Sequence, residues 1–181
     1  MKVETFKIKG WKKKERGLII SENKEWILVK HNPIDYVIDG YKLYSKKHIK
    51  KRTSKSKEQQ IERVLNLKNI STIEPSNFKF ANTINILKWV ENKFGLFEFQ
   101  DNSEDELFFG KINQIKNNSL TIDMVKSDGR IKRRYDYKFK INKIRVITFK
   151  TDYFESIRLL MEDELKKKTT TNRVDGSANK I

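Results

Sequence analysis

Apolar and polar residues alternate along most of the chain in short runs bounded by Asn, Gly, Asp or Ser, a pattern that predicts β-hairpins. From Gly17 the sequence reads GLIISENKEWILVKH, which predicts a strand, a polar turn at Asn23 and Lys24, and a return strand through Trp26, Leu28 and Lys30. From Gly110 it reads GKINQIKNNSLTIDMV, with a turn at Asn117 and Asn118 and a return through Leu120, Ile122 and Met124. Each stretch then crosses a second polar turn, at Asn32-Pro33 or at Ser127-Asp128-Gly129, and continues into alternating strands. Tyr41, Leu43 and Ile49 mark the first set; Tyr135, Tyr137, Phe139, Ile141 and Ile144 mark the second.

After each set the apolar period changes from two to the three and four of a helix. Ser56 with Gln59, and Asp152 with Glu155, have the spacing of capping boxes that open helices. Ile61, Val64 and Leu65 then correspond to Ile157, Leu160 and Met161, each trio on one helical face. The same features in the same order predict an internal duplication. Between the copies the pattern predicts a short strand at Asn77–Phe80, a helix from Asn82 to Phe94 ended by Gly95, and an aromatic strand, LFEFQ. The expected organisation is a first β unit with its helix over residues 1–70, and a connecting segment over 71–106. A second β unit with its helix follows over 107–166, and a disordered tail over 167–181.

Four or five short, sharply bent strands, with a glycine in the first and a helix at one end, resemble the small barrels of the Sm-like and SH3-like class. The resemblance covers roughly Arg16 to Leu67 and Leu107 to Leu165, and it is one of pattern. It implies an α+β, mainly β fold: two small barrels, each followed by a short helix, with a helix-containing linker.

Composition sharpens this picture. Of 181 residues, 36% are apolar and 35% charged, so a core must be divided into thin layers. Forty Lys plus Arg against 24 Asp plus Glu give a net charge of +16, a field that draws in polyanions. The excess is uneven: +11 over residues 1–70, −4 over 71–109 and +8 over 110–168, so it belongs to the two β units. A codon bias toward Lys is the bland alternative, but it does not explain why acidic residues lag. There is no Cys, which removes disulfides, thiolate metal sites and thiol nucleophiles together. Residues 1–14 lack the apolar run of a signal peptide, and no apolar stretch approaches a membrane span, so a cytoplasmic protein with no membrane partner is expected.

Candidate chemistry is sparse. His31 precedes Asn32-Pro33 and His48 lies in SKKHIKKR; both read as edge or solvated histidines, and neither belongs to a Ser-His-Asp order or a metal-spaced pair. Asp101, Glu104, Asp105 and Glu106 cluster without the glycine and terminal Glu of a calcium loop. They read as a solvated acidic loop, with a hard-cation site or a shield over a basic face as the alternatives. No Gly-rich phosphate loop is present. A non-enzymatic protein without a cofactor is expected.

The basic clusters are denser. Lys7, Lys9, Lys12, Lys13, Lys14 and Arg16 surround Trp11; Lys46, Lys47, Lys50, Lys51 and Arg52 flank His48; Arg130, Lys132, Arg133 and Arg134 precede Tyr135. Cations beside rings suit a sequence-tolerant single-strand surface, cations tracking phosphates and rings stacking on bases. The competing reading makes Trp11 and Tyr135 packing residues and the charges mere solvation of turns. The leading expectation is a nucleic-acid-binding protein that contacts RNA or single strands mainly through backbone phosphates. The alternative is an interaction module, an adaptor or an inhibitor of immunity type, for an acidic protein partner. The oligomeric state is open.

Overall fold

The strands are β1 (Val3–Ile8), β2 (Glu15–Glu22), β3 (Trp26–His31) and β4 (Tyr41–Ser45), then β5 (Ile49–Thr53) after a one-turn 3-10 helix at Lys46–His48. Helix α1 (Ser56–Leu67) follows, and α2 (Thr83–Phe94) leads into β6 (Phe97–Gln100), β7 (Phe108–Lys116) and β8 (Ser119–Val125). Two-residue strands β9 (Ile131–Lys132) and β10 (Phe139–Lys140), a second 3-10 turn at Ile141–Lys143, β11 (Val146–Phe149) and α3 (Asp152–Ser177) complete the chain. This computed structural model describes residues 1–177, with side chains through residue 167. Helix α3 enters the segment expected to be a disordered tail, and residues 178–181 lie outside the described residues.

The fold is α+β and mainly β, and every strand pairing is antiparallel. The strands form one continuous sheet in the order β10-β8-β7-β6-β11-β4-β3-β2-β1-β5, with β9 beside β8. Its first part, β5-β1-β2-β3-β4, has the same chain order as its second, β11-β6-β7-β8-β10. The registers agree residue by residue. Gly17 faces His31 as Gly110 faces Met124, and Ile19 faces Val29 as Ile112 faces Ile122. A bulge follows directly in both hairpins, between Ile19 and Ser21 and between Ile112 and Gln114.

The two parts are joined by β11, which lies between β4 and β6; Ile147 faces Leu43 on one side and Phe99 on the other. The central strands are accordingly buried on both faces, and WILV of β3, FEFQ of β6 and VITF of β11 show no exposed alternation. The largest core cluster takes Trp26, Leu28 and Leu43 from the first part together with Phe97, Phe99, Ile122 and Ile147 from the second. Ile86, Leu87 and Val90 of α2 and Phe154, Ile157 and Met161 of α3 cover it. Ile61 and Leu65 of α1 close a smaller cluster with Val3 and Leu18. Of the expected apolar trios, Ile61, Leu65, Ile157 and Met161 are buried, while Leu160 stays 43% exposed.

Local signals explain the turns. Asn23 accepts from the Glu25 and Trp26 amides at 2.9 and 2.8 Å, and Asn117 and Asn118 take the left-handed conformation of a two-residue hairpin turn (φ 47° and 59°). Asn82 caps α2 by accepting from Asn85 N–H, and Gly95 ends it at φ 81°. The caps of the other two helices lie one residue before the expected ones. Lys55 is the cap of α1, with Glu58 accepting its N–H at 2.8 Å, and Thr151 caps α3 by accepting from Phe154 N–H at 3.1 Å. The strand expected at Asn77–Phe80 is absent: Phe78 N–H closes a turn on Pro75 and Asn77 is left-handed (φ 62°), so Phe78 packs edge-on against Phe80 and Trp89 instead.

Candidate nucleic-acid interface

The strand alternation of β1 sends Phe6 and Ile8 into the core and leaves Thr5 and Lys7 on the opposite face. Pairing then builds a polar surface around them. Thr5 lies between Arg16 on β2 and Thr53 on β5, and Lys7 faces Lys51 directly. Lys14 precedes β2, and the first turn of α1 walls the end of this surface. Together they line a cavity of about 460 Å³ that holds Lys7, Lys14, Arg16, Lys51, Lys55 and Lys57. Like charges placed directly opposite on neighbouring strands repel, so the Lys7–Lys51 pair is a feature that packing alone would not favour.

The one carboxylate in the lining, Glu58, feels the charge of Arg16 but makes no salt bridge to any of these cations among the described residues. Glu58 accepts from the Thr5 hydroxyl at 2.7 Å and from Lys55 N–H at 2.8 Å, the second bond closing the capping box of α1. Burial works against its charge, but these hydrogen bonds hold it below the usual carboxylate range. Arg16 is half-buried, and its Nη1 is shielded from solvent with no hydrogen-bond partner.

The expected site residues divide. Lys14, Arg16 and Lys51 meet in this cavity. Lys12, Lys47 and Lys50 are exposed outside it. Lys13 is held by the acidic loop, its N–H on Glu104 at 2.9 Å and its ammonium on Asp105 at 3.0 Å, so that loop does cover a basic turn. Lys46 pairs with Glu22 at 2.5 Å, and Arg52 with both Glu4 at 2.5 Å and Glu22 at 2.9 Å. These partners draw Glu22 down to about 2. Arg130 pairs with Asp128 at 2.5 Å and Lys132 with Asp136 at 3.3 Å, while Arg133 is exposed. Arg134 and Tyr135 line a shallow groove of about 530 Å³ with Gln114 and Lys138. The Tyr135 ring stacks on Phe139 at 6.4 Å and carries the Lys132 ammonium 5.2 Å from its centre, so its π-surface is already engaged. Trp11 is buried at 4% exposure in a core cluster with Phe6 and Tyr44.

Lys55 and Lys57 carry no signal of this site in the sequence, because they stand beyond the strands at a helix start. The signal for Lys7 was present, since it shares the face of Thr5 in an alternating strand.

The equivalent positions of the second part are closed. Glu98 faces Thr148 and Gln100 faces Val146, as Thr5 faces Thr53 and Lys7 faces Lys51. All four are buried where the two parts meet. Burial pushes Glu98 up to about 7, with Lys42 pulling the other way. Nearby, Lys42 and the Tyr44 hydroxyl contact Glu15 at 2.7 and 2.9 Å. Arg145 donates across the junction to the Lys9 carbonyl.

His48 contacts the Asn142 carbonyl at 3.1 Å. Burial, reinforced by the charge of Lys42, lowers His31 to about 4. Among the described residues no three or more acidic or histidine side chains converge to hold a metal ion, and no helix is long and apolar enough to cross a membrane. Comparison with protein-family models, with curated proteins and with solved structures finds no match.

Proposed function

We propose that the protein is a non-catalytic nucleic-acid-binding protein that grips RNA or single strands through backbone phosphates. The observation that carries this reading is the cation-lined cavity on β1, β2 and β5, in which Lys7 and Lys51 stand side by side and, among the described residues, no salt bridge engages them. Cations without carboxylate partners keep their full attraction for phosphate, whereas Arg52, Lys46, Arg130 and Lys132 have already exchanged theirs for salt bridges. We further propose that the chain is a duplication of one SH3-like, Sm-like small-barrel unit. The shared pairing order, the matching registers and the matching bulges support this.

Filter binding of a single-stranded oligonucleotide over a salt series tests the function. Each phosphate neutralised contributes about 0.7 to the log–log slope, so contact with a few phosphates gives a steep decline. Charge reversal of Lys51 weakens binding on all sequences alike. Binding that is absent, or indifferent to salt, refutes the reading.

A second reading, an adaptor or inhibitor for an acidic protein, is favoured by β5, an end strand of the sheet whose outer edge has no neighbouring strand among the described residues and which carries Lys50 and Lys51. Capture of a stable protein partner from nuclease-treated lysate favours this second reading.

A further inference from the structure

We infer that the cavity on β1, β2 and β5 receives a phosphate monoester or polyphosphate group, presented by the phosphorylated end of a nucleic-acid strand. This rests on the nucleic-acid reading above and specifies which part of the strand is held.

The argument is one of charge and enclosure. Six cations line the cavity against a single carboxylate, Glu58, which is hydrogen-bonded to Thr5 and to the cap of α1 and offsets the charge of Arg16 at most. A strand running through offers one negative charge per nucleotide, and a volume of about 460 Å³ lies in the size range of small-ligand sites rather than of long grooves. A single diester therefore leaves most of the cationic charge unmatched. A terminal phosphate carries about −1.5 to −2 at neutral pH and three strong acceptor oxygens, and a polyphosphate carries more.

Donors are already present to meet such oxygens. Arg16 lines the cavity as a cation, and its Nη1, which is shielded from solvent, has no hydrogen-bond partner among the described residues. Thr53 and Ser56 line the same cavity with hydroxyl groups. The start of α1, which follows β5 directly, adds Lys55 and Lys57 to the lining beyond Thr53. The second part of the sheet repeats the strand pairing but buries Glu98, Gln100, Val146 and Thr148 in these places, so the described residues offer one such cavity, for one strand end.

The test is isothermal titration calorimetry of the full chain with one RNA oligonucleotide in three forms: 5′-phosphorylated, 3′-phosphorylated and hydroxyl at both ends. Inorganic tripolyphosphate serves as a fourth probe. One phosphorylated form should bind about tenfold more tightly than the hydroxyl form, at one strand per chain, and tripolyphosphate should compete with it. Arg16→Gln should bring that preference close to unity. Lys51→Gln, at an exposed position that does not perturb packing, should do the same if Arg16→Gln proves unstable. Equal affinity for all three strands overturns the inference and leaves the nucleic-acid reading standing. A preference that survives both substitutions also overturns it. Binding of tripolyphosphate alone, lost in Lys51→Gln, overturns the strand as the source while keeping the cavity as a polyphosphate site. If no probe binds, both the inference and the reading fall.

Discussion

Lys7 on β1 and Lys51 on β5 are direct cross-strand partners, two ammonium groups held side by side on one face of the sheet. Such a pair costs stability, and under the proposed function it serves to attract phosphate. Lys51→Glu should raise stability by about 0.5 kcal/mol at low salt, read from the urea midpoint. The same substitution should lower oligonucleotide affinity by about tenfold or more. A variant that loses stability and keeps its affinity contradicts the assignment of this face.

The junction between the two parts sets a pH response with two opposed components. Glu98 is held up to about 7 against an ordinary 4.5, so its contribution destabilises the fold increasingly as pH rises from 4.5 to 7. His31 is held down to about 4 against an ordinary 6.5, so its contribution is fully present above 6.5 and is lost as pH falls through 4. Each amounts to about 3 kcal/mol by the size of its shift, and the two nearly cancel in the wild-type chain. Glu98→Gln should therefore gain about 3 kcal/mol at pH 8, with stability that falls on acidification below 6.5. His31→Asn should show the reverse slope, losing stability as pH rises from 4.5 to 7. Urea midpoints at a series of pH values check both, and unchanged profiles reject the burial of Glu98 as its cause.

Gly40 lies in the loop between β3 and β4 at φ 63°, where an added Cβ would meet the Lys150 carbonyl group and the Thr151 nitrogen at 2.4 Å. Both the backbone conformation and the space require glycine there. Gly40→Ala should cost about 2 to 4 kcal/mol, because the strain falls where the first part of the sheet touches the start of α3. Equilibrium unfolding measures it; a loss no larger than that of an ordinary surface substitution contradicts this packing.

The acidic loop competes with any anion for the Lys12–Lys14 turn, through Glu104 and Asp105 on Lys13. Removing both charges, as Glu104→Gln with Asp105→Asn, should raise oligonucleotide affinity about two- to fivefold at low salt. The thermal midpoint should hardly move, because exposed ion pairs stabilise little. An affinity that falls would mean that the loop assists binding.

Both hairpins were legible in the sequence because their information is local. Asn23, Asn117 and Asn118 are turn residues flanked by alternating apolar residues, and Asn82 with Gly95 brackets a helix. The caps of α1 and α3 were misplaced by one residue because Ser56 and Asp152 match the favoured types better than Lys55 or Thr151. The segment at Asn77–Phe80 has strand composition but no neighbour to pair with. The insertion of β11 between β4 and β6 could not be read, since strand edges carry no partner label in an amphipathic pattern. For the same reason Lys7 and Lys51 were seen in separate clusters. Their adjacency depends on the pairing of β1 with β5, and local spacing is silent about it.

Because β11 follows every other described strand in the chain and fills the middle of the sheet, the order of synthesis runs against the order of assembly. A ribosome completes β4 long before Val146 to Phe149 emerge, and at ordinary elongation speeds the interval is on the order of ten seconds. Throughout it, the nascent chain bears an unsatisfied row of backbone amides and carbonyls beside Tyr41 to Ser45. Expression of residues 1–70 alone would make that exposure permanent, and edge-to-edge association between copies is its expected fate.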